Sequence, residues 1–368
     1  MKFEKIKGRL GFGCMRLPMK DDEIDKAEFC KMIDEYMSAG FNYFDTAYGY
    51  IDGKSEKAIK ECLASRYDRE DYVLADKLSY WTFETDKDVL PLFEKQLNNC
   101  GVDYFDFYLF HCINKEGYEK HQKYNTFDII KKLKEEGKIK HLGMSFHDSA
   151  EFLDKVLTKH PYLEFVQLQI NYLDYDDPTV QSKACYDVAV KHGKKVIVME
   201  PVKGGALVNL PDKAQEEIRK LGNGSQASYA LRYAGSFPEV FMVLSGMGNM
   251  DMIKDNIKTF TDFEPVKEED LKIYDNLRAI IRQLKLIPCT KCNYCKDVCP
   301  CNISISDIFS IFNKYLGAEI SRDENKSRLL KYKDEIQKCI GCAKCEGNCP
   351  QGIKIKEHME KFKKIVSK

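Results

Sequence analysis

The chain has 368 residues, and its 58 Lys and Arg balance its 58 Asp and Glu, so the formal net charge is zero. This balance provides no long-range field that would favour nucleic acid or an anionic membrane surface. The charged first residues and the absence of an apolar run of about 20 residues predict a soluble, cytoplasmic protein without a membrane span. The length predicts one large domain and a small one.

One pattern repeats over residues 1–260: a short apolar run, a loop, and an amphipathic stretch of helical length. Eight runs are predicted strands: Leu10–Met15, Phe41–Phe44, Tyr72–Ala75, Phe105–Phe110, Lys140–Met144, Phe165–Ile170, Lys195–Met199 and Val240–Leu244. The predicted helices between them are Asp25–Ser38, Ser55–Arg66, Lys87–Cys100, Thr126–Glu136, Ser149–Lys159, Thr179–Lys191 and Met250–Phe260. Strands that alternate with helices in this way indicate βαβ units and a parallel sheet.

Eight such units in about 250 residues favour a closed (β/α)8 TIM barrel, an α/β fold, over an open doubly wound sheet. A doubly wound nucleotide-binding sheet would need a glycine-rich phosphate turn after an early strand. Gly11-Phe-Gly13 is followed by Cys-Met-Arg rather than by a third glycine and a helix, so that signal fails.

A TIM barrel places its catalytic residues at the C-terminal ends of the strands or in the loops that follow them. The polar residues at these positions are Asp45 after the second predicted strand, Lys77 after the third, His111 after the fourth, Ser145 after the fifth and Gln167 in the sixth. Each of them alone is more often structural than catalytic. Together at one rim they predict an active site.

Four segments around these residues resemble signatures of the aldo-keto reductase family. They are Asp45-Thr-Ala-Tyr-Gly-Tyr50, similar to D-T-A-x-x-Y; Ser55-Glu56, similar to the S-E that follows it; Asp106-Phe-Tyr-Leu-Phe-His111, similar to D-x-Y-x-x-H; and Gly137-Lys-Ile-Lys-His-Leu-Gly143-Met-Ser145, similar to G-K-I-R-x-x-G-x-S. The segments occur in the family's order, and the resemblance covers roughly residues 8–260. It implies an oxidoreductase that reduces a carbonyl compound, or oxidises the alcohol, with NAD(P)H.

The resemblance also implies roles for four of the residues. Tyr50 would be the general acid in reduction and, as tyrosinate, the base in oxidation. A tyrosine with a pKa of about 10 is a poor acid near neutrality, and the ammonium of Lys77 would lower that pKa. Asp45 would hold Lys77 charged, and His111 would orient or polarise the substrate oxygen. Tyr48 is a rival for Tyr50, but the spacing of five residues from Asp45 favours Tyr50.

The positions that bind the cofactor follow the family pattern only in part. Ser145 and Gln167 match residues that hydrogen-bond the nicotinamide carboxamide in that family. Phe146 stands where an Asn usually follows the Ser, and Met199 stands where an aromatic residue usually stacks on the nicotinamide ring. A methionine covers a flat ring less specifically. These departures also motivate an alternative in which a flavin lies in the barrel mouth.

The segment after the eighth strand resembles the start of the family's adenine-binding helix. Asp255 and Asn256 lie at matching positions there. Gly246 and Met252 replace the two basic residues that usually hold the 2′-phosphate of NADP. The resemblance therefore implies a dinucleotide but does not decide between NADH and NADPH.

The end of the chain carries two copies of C-x2-C-x2-C-x3-C-P. The cysteines are Cys289, Cys292, Cys295 and Cys299 in the first copy and Cys339, Cys342, Cys345 and Cys349 in the second. Disulfides are disfavoured in a chain that has no secretory features. Zinc, which paired C-x2-C motifs also bind, needs neither the third cysteine nor the Cys-Pro. The pattern therefore favours iron–sulfur ligation.

This pattern resembles the two-cluster bacterial ferredoxin and implies two [4Fe–4S] clusters, each held by three cysteines of one motif and the fourth of the other. One cluster would take Cys289, Cys292, Cys295 and Cys349, and the other Cys339, Cys342, Cys345 and Cys299. Cys301 would be a bystander.

The whole chain resembles the ferredoxin-fused branch of the aldo-keto reductases. Residues 1–280 are predicted to form the TIM barrel, and residues 281–368 a small, α-rich, ferredoxin-like iron–sulfur domain.

Clusters move single electrons, whereas a nicotinamide moves a hydride. The first hypothesis is carbonyl reduction with clusters that relay electrons to or from the barrel cofactor or an external redox partner protein. The alternatives are a plain NAD(P)H reductase with structural clusters, the flavin variant, and a non-catalytic electron-transfer or redox-sensing module.

Overall fold

The computed structural model describes residues 3–317 and 319–367. Its strands are Leu10–Gly13 (β1), Met19–Lys20 (β2), Glu23–Ile24 (β3), Tyr43–Asp45 (β4), Val73–Ser79 (β5), Phe105–Ile113 (β6), Ile139–Phe146 (β7), Phe165–Gln169 (β8), Lys195–Met199 (β9) and Val240–Gly246 (β10). β2 and β3 form a small antiparallel sheet. The other eight strands close a parallel barrel in the order β1, β4, β5, β6, β7, β8, β9, β10 and back to β1, which confirms the predicted TIM barrel.

The α-helices in the same residues surround the strands or follow the barrel. They are Lys26–Ser38 (α1), Lys54–Ile59 (α2), Val89–Cys100 (α3), Lys115–Lys123 (α4), Thr126–Glu135 (α5), Ala150–Lys159 (α6), Ser182–Lys191 (α7), Asp212–Ile218 (α8), Gln226–Gly235 (α9), Met250–Thr261 (α10), Leu271–Gln283 (α11), Tyr294–Asp297 (α12), Ile305–Leu316 (α13), Arg322–Leu330 (α14), Lys333–Lys338 (α15), Lys344–Gly347 (α16) and Ile355–Val366 (α17). In the part of the chain described here, no helix has the length and apolar character needed to cross a bilayer.

Five strands run further than their apolar patterns predict: β4 and β10, by one and two residues, and β5, β6 and β7. β5 continues from Ala75 to Ser79, and β6 and β7 end at Ile113 and Phe146. Lys77 and His111 interrupt the apolar runs, and for that reason the sequence places them after strands. The structure corrects this, because both residues are part of the strands themselves.

The barrel interior explains why the polar residues converge. An apolar layer of buried residues from different strands includes Tyr43, Ala75, Leu109, Phe165, Ile197 and Leu244. Residues two apart in a strand point to the same face. Two positions further along these strands lie Asp45, Lys77, His111, Gln167, Met199 and Gly246. The predicted site residues therefore form the next layer at the C-terminal end of the barrel interior.

The chain separates into two compact units. One contains the barrel strands and consists of the chain up to Asp176 together with Gln181–Pro201 and Ala227–Val266. The other combines Asp177–Val180 and Val202–Gln226 with the chain from Lys267 onward. The division of the sequence near residue 280 into two domains stays a prediction.

The cysteine-rich tail contains an internal repeat with an offset of 50 residues. The first copy runs through α12 into α13, and the second runs through α16 into α17. Ile305, Phe309 and Phe312 of α13 share one buried core with Met359 and Phe362 of α17. The two helices that follow the cysteine motifs therefore pack together into one small core.

Candidate active site and iron–sulfur centres

A buried ion pair forms the centre of the barrel site. Lys77 Nζ donates to Asp45 Oδ1 at 2.6 Å and to the Thr46 carbonyl oxygen at 2.6 Å. Both charged side chains are almost fully inaccessible to solvent. β4 ends at Asp45, and the neighbouring strand β5 carries Lys77, so their positions follow from the barrel order.

Electrostatics keep Lys77 charged. Burial by itself would lower the pKa of Lys77, but the Asp45 carboxylate and then the Tyr50 phenol outweigh it, and the pKa lies above its usual value. Burial raises the pKa of Asp45, and the Lys77 ammonium works against that rise. A buried charge is tolerated when it is paired and hydrogen-bonded, as it is here.

The ammonium also lies against the ring of Tyr50. Lys77 Nζ is 4.8 Å from the centroid of the Tyr50 ring. Tyr48, in contrast, accepts a hydrogen bond from the exposed Lys95 at 2.7 Å. Of the two rival tyrosines, the one beside Lys77 is therefore Tyr50.

His111 completes the group. Its ring lies edge-on to Tyr50 with the centroids 6.0 Å apart, and the ring of Trp81 is 5.3 Å away. Burial and then the charge of Lys77 hold the pKa of His111 well below its usual range, so the imidazole is neutral. Ser79 Oγ is 2.6 Å from His111 Nδ1 and orients the ring.

The loop that carries Tyr50 is tied to the barrel by the Ser-Glu motif. Ser55 Oγ donates to the Cys14 carbonyl oxygen at 2.8 Å and is 2.8 Å from Thr46 Oγ1. Cys14, which directly follows β1, is buried. Ser55 therefore has a structural part in this arrangement, since it joins the end of β1 to the loop between Asp45 and Tyr50.

A β-bulge sets the next part of the site. The register between β6 and β7 shifts after Phe110, and Cys112 has a left-handed backbone with φ of 58°. The Cys112 amide donates to Ser145 Oγ at 2.7 Å. Gln167, on the adjacent strand, is buried, and its Oε1 accepts no hydrogen bond among the described residues. This oxygen can accept a bond from an amide of a bound molecule.

The remaining predicted cofactor residues lie on β9, β10 and α10. Met199 ends β9 and is half-buried. Asn256 is buried and donates to Ser245 Oγ at 2.7 Å, whereas Asp255 is half-buried. At Gly246 an added Cβ would lie 3.2 Å from Arg16 Cδ.

Sequence reasoning did not single out Arg16, Ser79 or Trp81. Arg16 follows β1, in the Cys-Met-Arg found where a third glycine would be needed, and its aliphatic stem lies next to Gly246. Ser79 lies two residues after Lys77. This spacing identifies it as a partner of His111 only once β5 is known to extend to Ser79. Trp81 was detectable only as the single tryptophan in the chain.

The two cysteine loops have the same backbone conformation. Equivalent residues are left-handed in both copies: Lys291 and Gly341, Asn293 and Ala343, and Asn302 and Gly352. Left-handed residues among the cysteines turn successive N–H groups toward one side, which makes a concave site for an anionic group. The sulfur ligands and N–H groups of these loops fit an anionic iron–sulfur cluster.

The thiols near Cys295 and Cys345 favour a pairing in which each cluster takes its fourth cysteine from the other motif. Burial and then the thiols of Cys289 and Cys349 raise the pKa of Cys295 to about 12. Burial and then Cys299 raise the pKa of Cys345 to about 11. In each case a cysteine of the other motif is an electrostatic neighbour.

The second group of cysteines lines a cavity that is partly open to solvent. Cys299, Cys339, Cys342 and Cys345 contribute to it together with apolar residues such as Ile305 and Met359. Cys301 lines the same cavity. The cavity contains the four residues predicted for one cluster and has an apolar wall behind them.

A closed parallel barrel with an ion pair at its mouth, followed by paired cysteine loops, defines a TIM-barrel oxidoreductase with an iron–sulfur tail. The chain belongs to the Aldo/keto reductase family, whose sequence profile matches residues 9–279. A second profile, the 4Fe-4S dicluster domain, matches residues 285–353. The tail is therefore an iron–sulfur domain rather than a zinc-binding one.

Individual relatives agree with this assignment. Dihydrodiol dehydrogenase 3 of Bos taurus is 27% identical over 308 residues, which cover 76% of this chain and 90% of the relative. The holo form of aldo-keto reductase AKR11C1 from Bacillus halodurans has a TM-score of 0.61 at 24% identity and covers 73% of this chain and 91% of its own. An aldo-keto reductase from Klebsiella pneumoniae in complex with NADPH has a TM-score of 0.57 at 18% identity, with coverages of 73% and 90%. Both structural likenesses show the fold.

Proposed function

We propose that the barrel reduces a carbonyl compound to its alcohol, or runs the reverse oxidation, with NAD(P)H as the cofactor. Tyr50, Lys77, Asp45 and His111 form the catalytic site. Two [4Fe–4S] clusters in the tail relay single electrons to or from the barrel cofactor or an external redox partner. The observation that supports the proposal most strongly is the Lys77 ammonium, which is buried between Asp45 and the ring of Tyr50.

The proton comes from Tyr50. A phenol gives up its proton more readily when a cation stabilises the phenolate, and Lys77 provides this cation. Asp45 keeps the ammonium charged and in place. His111 is neutral, so it can donate one hydrogen bond to the substrate oxygen without adding a second positive charge beside Lys77. Ser79 fixes the ring that makes this bond.

The barrel residues fit a nicotinamide dinucleotide. The buried Gln167 Oε1 is suited to accept a hydrogen bond from a carboxamide N–H, and Met199 is suited to cover a flat ring. The stem of Arg16 lies next to Gly246, one of the two positions where the family's basic residues are replaced, so Arg16 is a candidate to supply a cation there. Bound NAD(P)H supplies the hydride. The Klebsiella relative binds NADPH, whereas the relatives described above give the flavin variant no support.

A pair of tyrosine variants tests the catalytic site. Tyr50→Phe removes the acid and keeps the ring on Lys77, so kcat for NADPH-dependent aldehyde reduction should fall about 10²- to 10⁴-fold. Binding of NADPH, measured by fluorescence, should stay unchanged. Tyr48→Phe is the matched control and should keep near-normal activity. Equal activity of Tyr50→Phe and the wild type would refute the assignment of Tyr50.

Structural clusters are a second candidate role. Several of the predicted ligands, among them Cys295 and Cys345, pack against the buried core of the tail, and this packing favours a contribution of the clusters to folding. The two roles differ when electrons are supplied by reduced methyl viologen in the presence of catalytic NADP⁺. A relay, in which two single-electron transfers and one proton convert NADP⁺ into NADPH, predicts that Cys292→Ala loses viologen-driven alcohol formation and keeps NADPH-driven reduction. Unchanged viologen-driven activity would favour structural clusters.

A further inference from the structure

A tight turn with a buried lysine contacts both chain segments assigned to one cluster. The turn, Lys203-Gly204-Gly205, belongs to the same compact unit as the cysteine-rich tail. Its three residues are left-handed, with φ values of 48°, 63° and 96°. This conformation is easy for glycine but strained for a lysine. The surrounding contacts therefore have to hold Lys203 in this position.

The first contact is a close backbone approach. A Cβ at Gly204 would lie 2.3 Å from the Thr290 carbonyl oxygen and 2.8 Å from Thr290 Cα. Both atoms are backbone and cannot swing aside, so only glycine permits this approach. Thr290 is buried and directly follows Cys289, the first cysteine of the first motif. The turn thus lies against the first cysteine loop.

The second contact comes from the lysine side chain. Lys203 Nζ donates to Gln351 Oε1 at 3.0 Å, and both side chains are buried. Gln351 lies two residues after Cys349. Its amide oxygen accepts a hydrogen bond but brings no net charge. A buried positive charge is therefore anchored beside the segment that supplies the last cysteine of the second motif.

We propose that Lys203 raises the reduction potential of the [4Fe–4S] cluster held by Cys289, Cys292, Cys295 and Cys349. One-electron reduction adds a negative charge to the cluster, and a buried cation nearby stabilises this form more than the oxidised one. The inference rests on the proposed pairing of the cysteines. Along the chain, Lys203 follows Met199 by four residues, so the strand that ends in a proposed cofactor residue leads directly into this turn.

The potentials of both clusters in the full-length protein test this role. Anaerobic wild type, Lys203→Met and Lys203→Arg are titrated with dithionite and mediators, and the reduced clusters are followed by EPR. At the wild-type midpoint, the ratio of reduced to oxidised cluster should fall about tenfold in Lys203→Met, equivalent to about 59 mV for one electron. Lys203→Arg keeps the charge and should stay within about threefold of the wild type. The other cluster should not shift and serves as an internal reference.

Iron content decides how the Lys203→Met result is interpreted. Full iron with an unshifted potential would overturn the proposal. If the variant loses iron, Gln351→Glu replaces it, because a carboxylate beside the ammonium cancels its charge and should lower the same potential. Gln351→Leu, which keeps the cation, is its control. An unshifted potential in Gln351→Glu would also overturn the proposal.

The affected cluster has to be identified separately. Cys292→Ala and Cys342→Ala each remove one EPR signal and so assign the two signals to the two clusters. A shift confined to the signal that Cys342→Ala removes would contradict both the proposal and the cysteine pairing. NADPH-dependent carbonyl reduction is measured on the same samples. Its absence in the wild type would count against the proposed function of the barrel and would leave the cluster potentials interpretable.

Discussion

Behind Lys77, on the opposite face of β5, two buried carboxyl groups form a second polar centre. Asp76 and Glu56 are both fully buried, and a carboxyl oxygen of each lies within 4.8 Å of the other and of Cys100 Sγ. Two buried carboxylates this close repel each other unless one of them is protonated. Gln96 Nε2 donates to Asp76 Oδ1 at 3.0 Å, and Asn99 Nδ2 donates to Glu56 Oε2 at 2.7 Å. We therefore expect the pair to retain one proton after ordinary carboxyl groups have lost theirs.

Because of this pair, the chain takes up a proton when it folds. Burial and then the Glu56 charge hold the pKa of Asp76 well above its usual range, and burial raises the pKa of Glu56. In the unfolded chain both groups release their protons near pH 4. Between that pH and the raised pKa, the folded state binds one more proton than the unfolded state. The contribution of the pair to stability is therefore greatest at low pH and falls as the pH rises.

Asp76→Asn should reduce this pH dependence. An amide has the shape of the protonated carboxyl and can donate to Glu56 without taking up a proton. Between two pH values that lie above about 4, where the unfolded carboxyl groups are ionised, and below the raised pKa of Asp76, the free energy of unfolding of the wild type should fall by up to about 1.4 kcal/mol per pH unit more than that of the variant. Urea unfolding at the two pH values measures the difference. Both proteins contain the same buried neutral histidines, such as His111, so the contribution of the histidines cancels in the comparison.

A surface variant provides the control for that measurement. Glu61→Gln makes the same chemical change at an exposed position and should keep the slope of the wild type. An Asp76→Asn protein whose stability falls with pH as steeply as that of the wild type would show that the pair does not retain a proton.

At the residue scale, motif resemblance could predict identities but not contacts. The motifs identified Asp45, Tyr50 and His111 because their spacing in the sequence is specific. The pairing of Asp76 with Glu56 has no such signal. Glu56 belongs to the Ser-Glu motif, but nothing in the sequence places Asp76, which comes from a different element, next to it. Burial, which only the fold reveals, turns these carboxylates into a proton-binding pair.

At the scale of elements, strand number was predictable and strand length was not. Apolar runs bounded by turns mark the eight barrel strands, as expected for strands buried on both faces. The ends of β5 and β6 carry polar side chains inside the barrel mouth, so apolar periodicity stops before the strand does. Helix α4 was not predicted at all. Tyr118 and His121 are among its few buried residues, so its sequence has no apolar stripe.

The cysteine loops predict which thiols hold iron. Cys292→Ala and Cys342→Ala should each lose about four of eight irons per chain, because each removes one ligand of a different four-iron cluster. Cys301→Ala is the matched control. Cys301 lies between the two cysteine motifs and lines the same cavity as Cys342, but it falls outside the repeated C-x2-C-x2-C-x3-C-P pattern. Anaerobic purification with iron and sulfide analysis provides the measurement.

Two results would contradict that assignment. Full iron content in Cys292→Ala would remove this residue from the ligand set. Loss of iron in Cys301→Ala would make the ninth cysteine a ligand and would break the symmetry of the repeat, in which Cys301 has its counterpart in Gln351.

At the scale of the whole molecule, the two compact units are stabilised by different means. The barrel unit has an apolar interior in which Tyr43, Phe107 and Phe165 are fully or almost fully buried, and its strands hydrogen-bond in a closed ring. The tail has a smaller core built on α13 and α17, against which the cysteines pack. Small domains with limited cores commonly depend on metal groups for stability. The clusters should therefore stabilise the tail far more than the barrel.

Hydrogen exchange of the full-length protein with and without clusters tests this dependence. After anaerobic removal of iron with a chelator, amides of α13 and α17 should exchange more than about tenfold faster, because loss of the clusters exposes the core around Phe309 and Phe362. Amides of β5 and β6 should keep their rates, since their hydrogen bonds lie within the barrel. Mass spectrometry of peptides from both units in one sample makes the comparison internal. Equal loss of protection in β5 and α13 would show that the clusters support the whole molecule, and unchanged exchange in α17 would show that the tail folds without them.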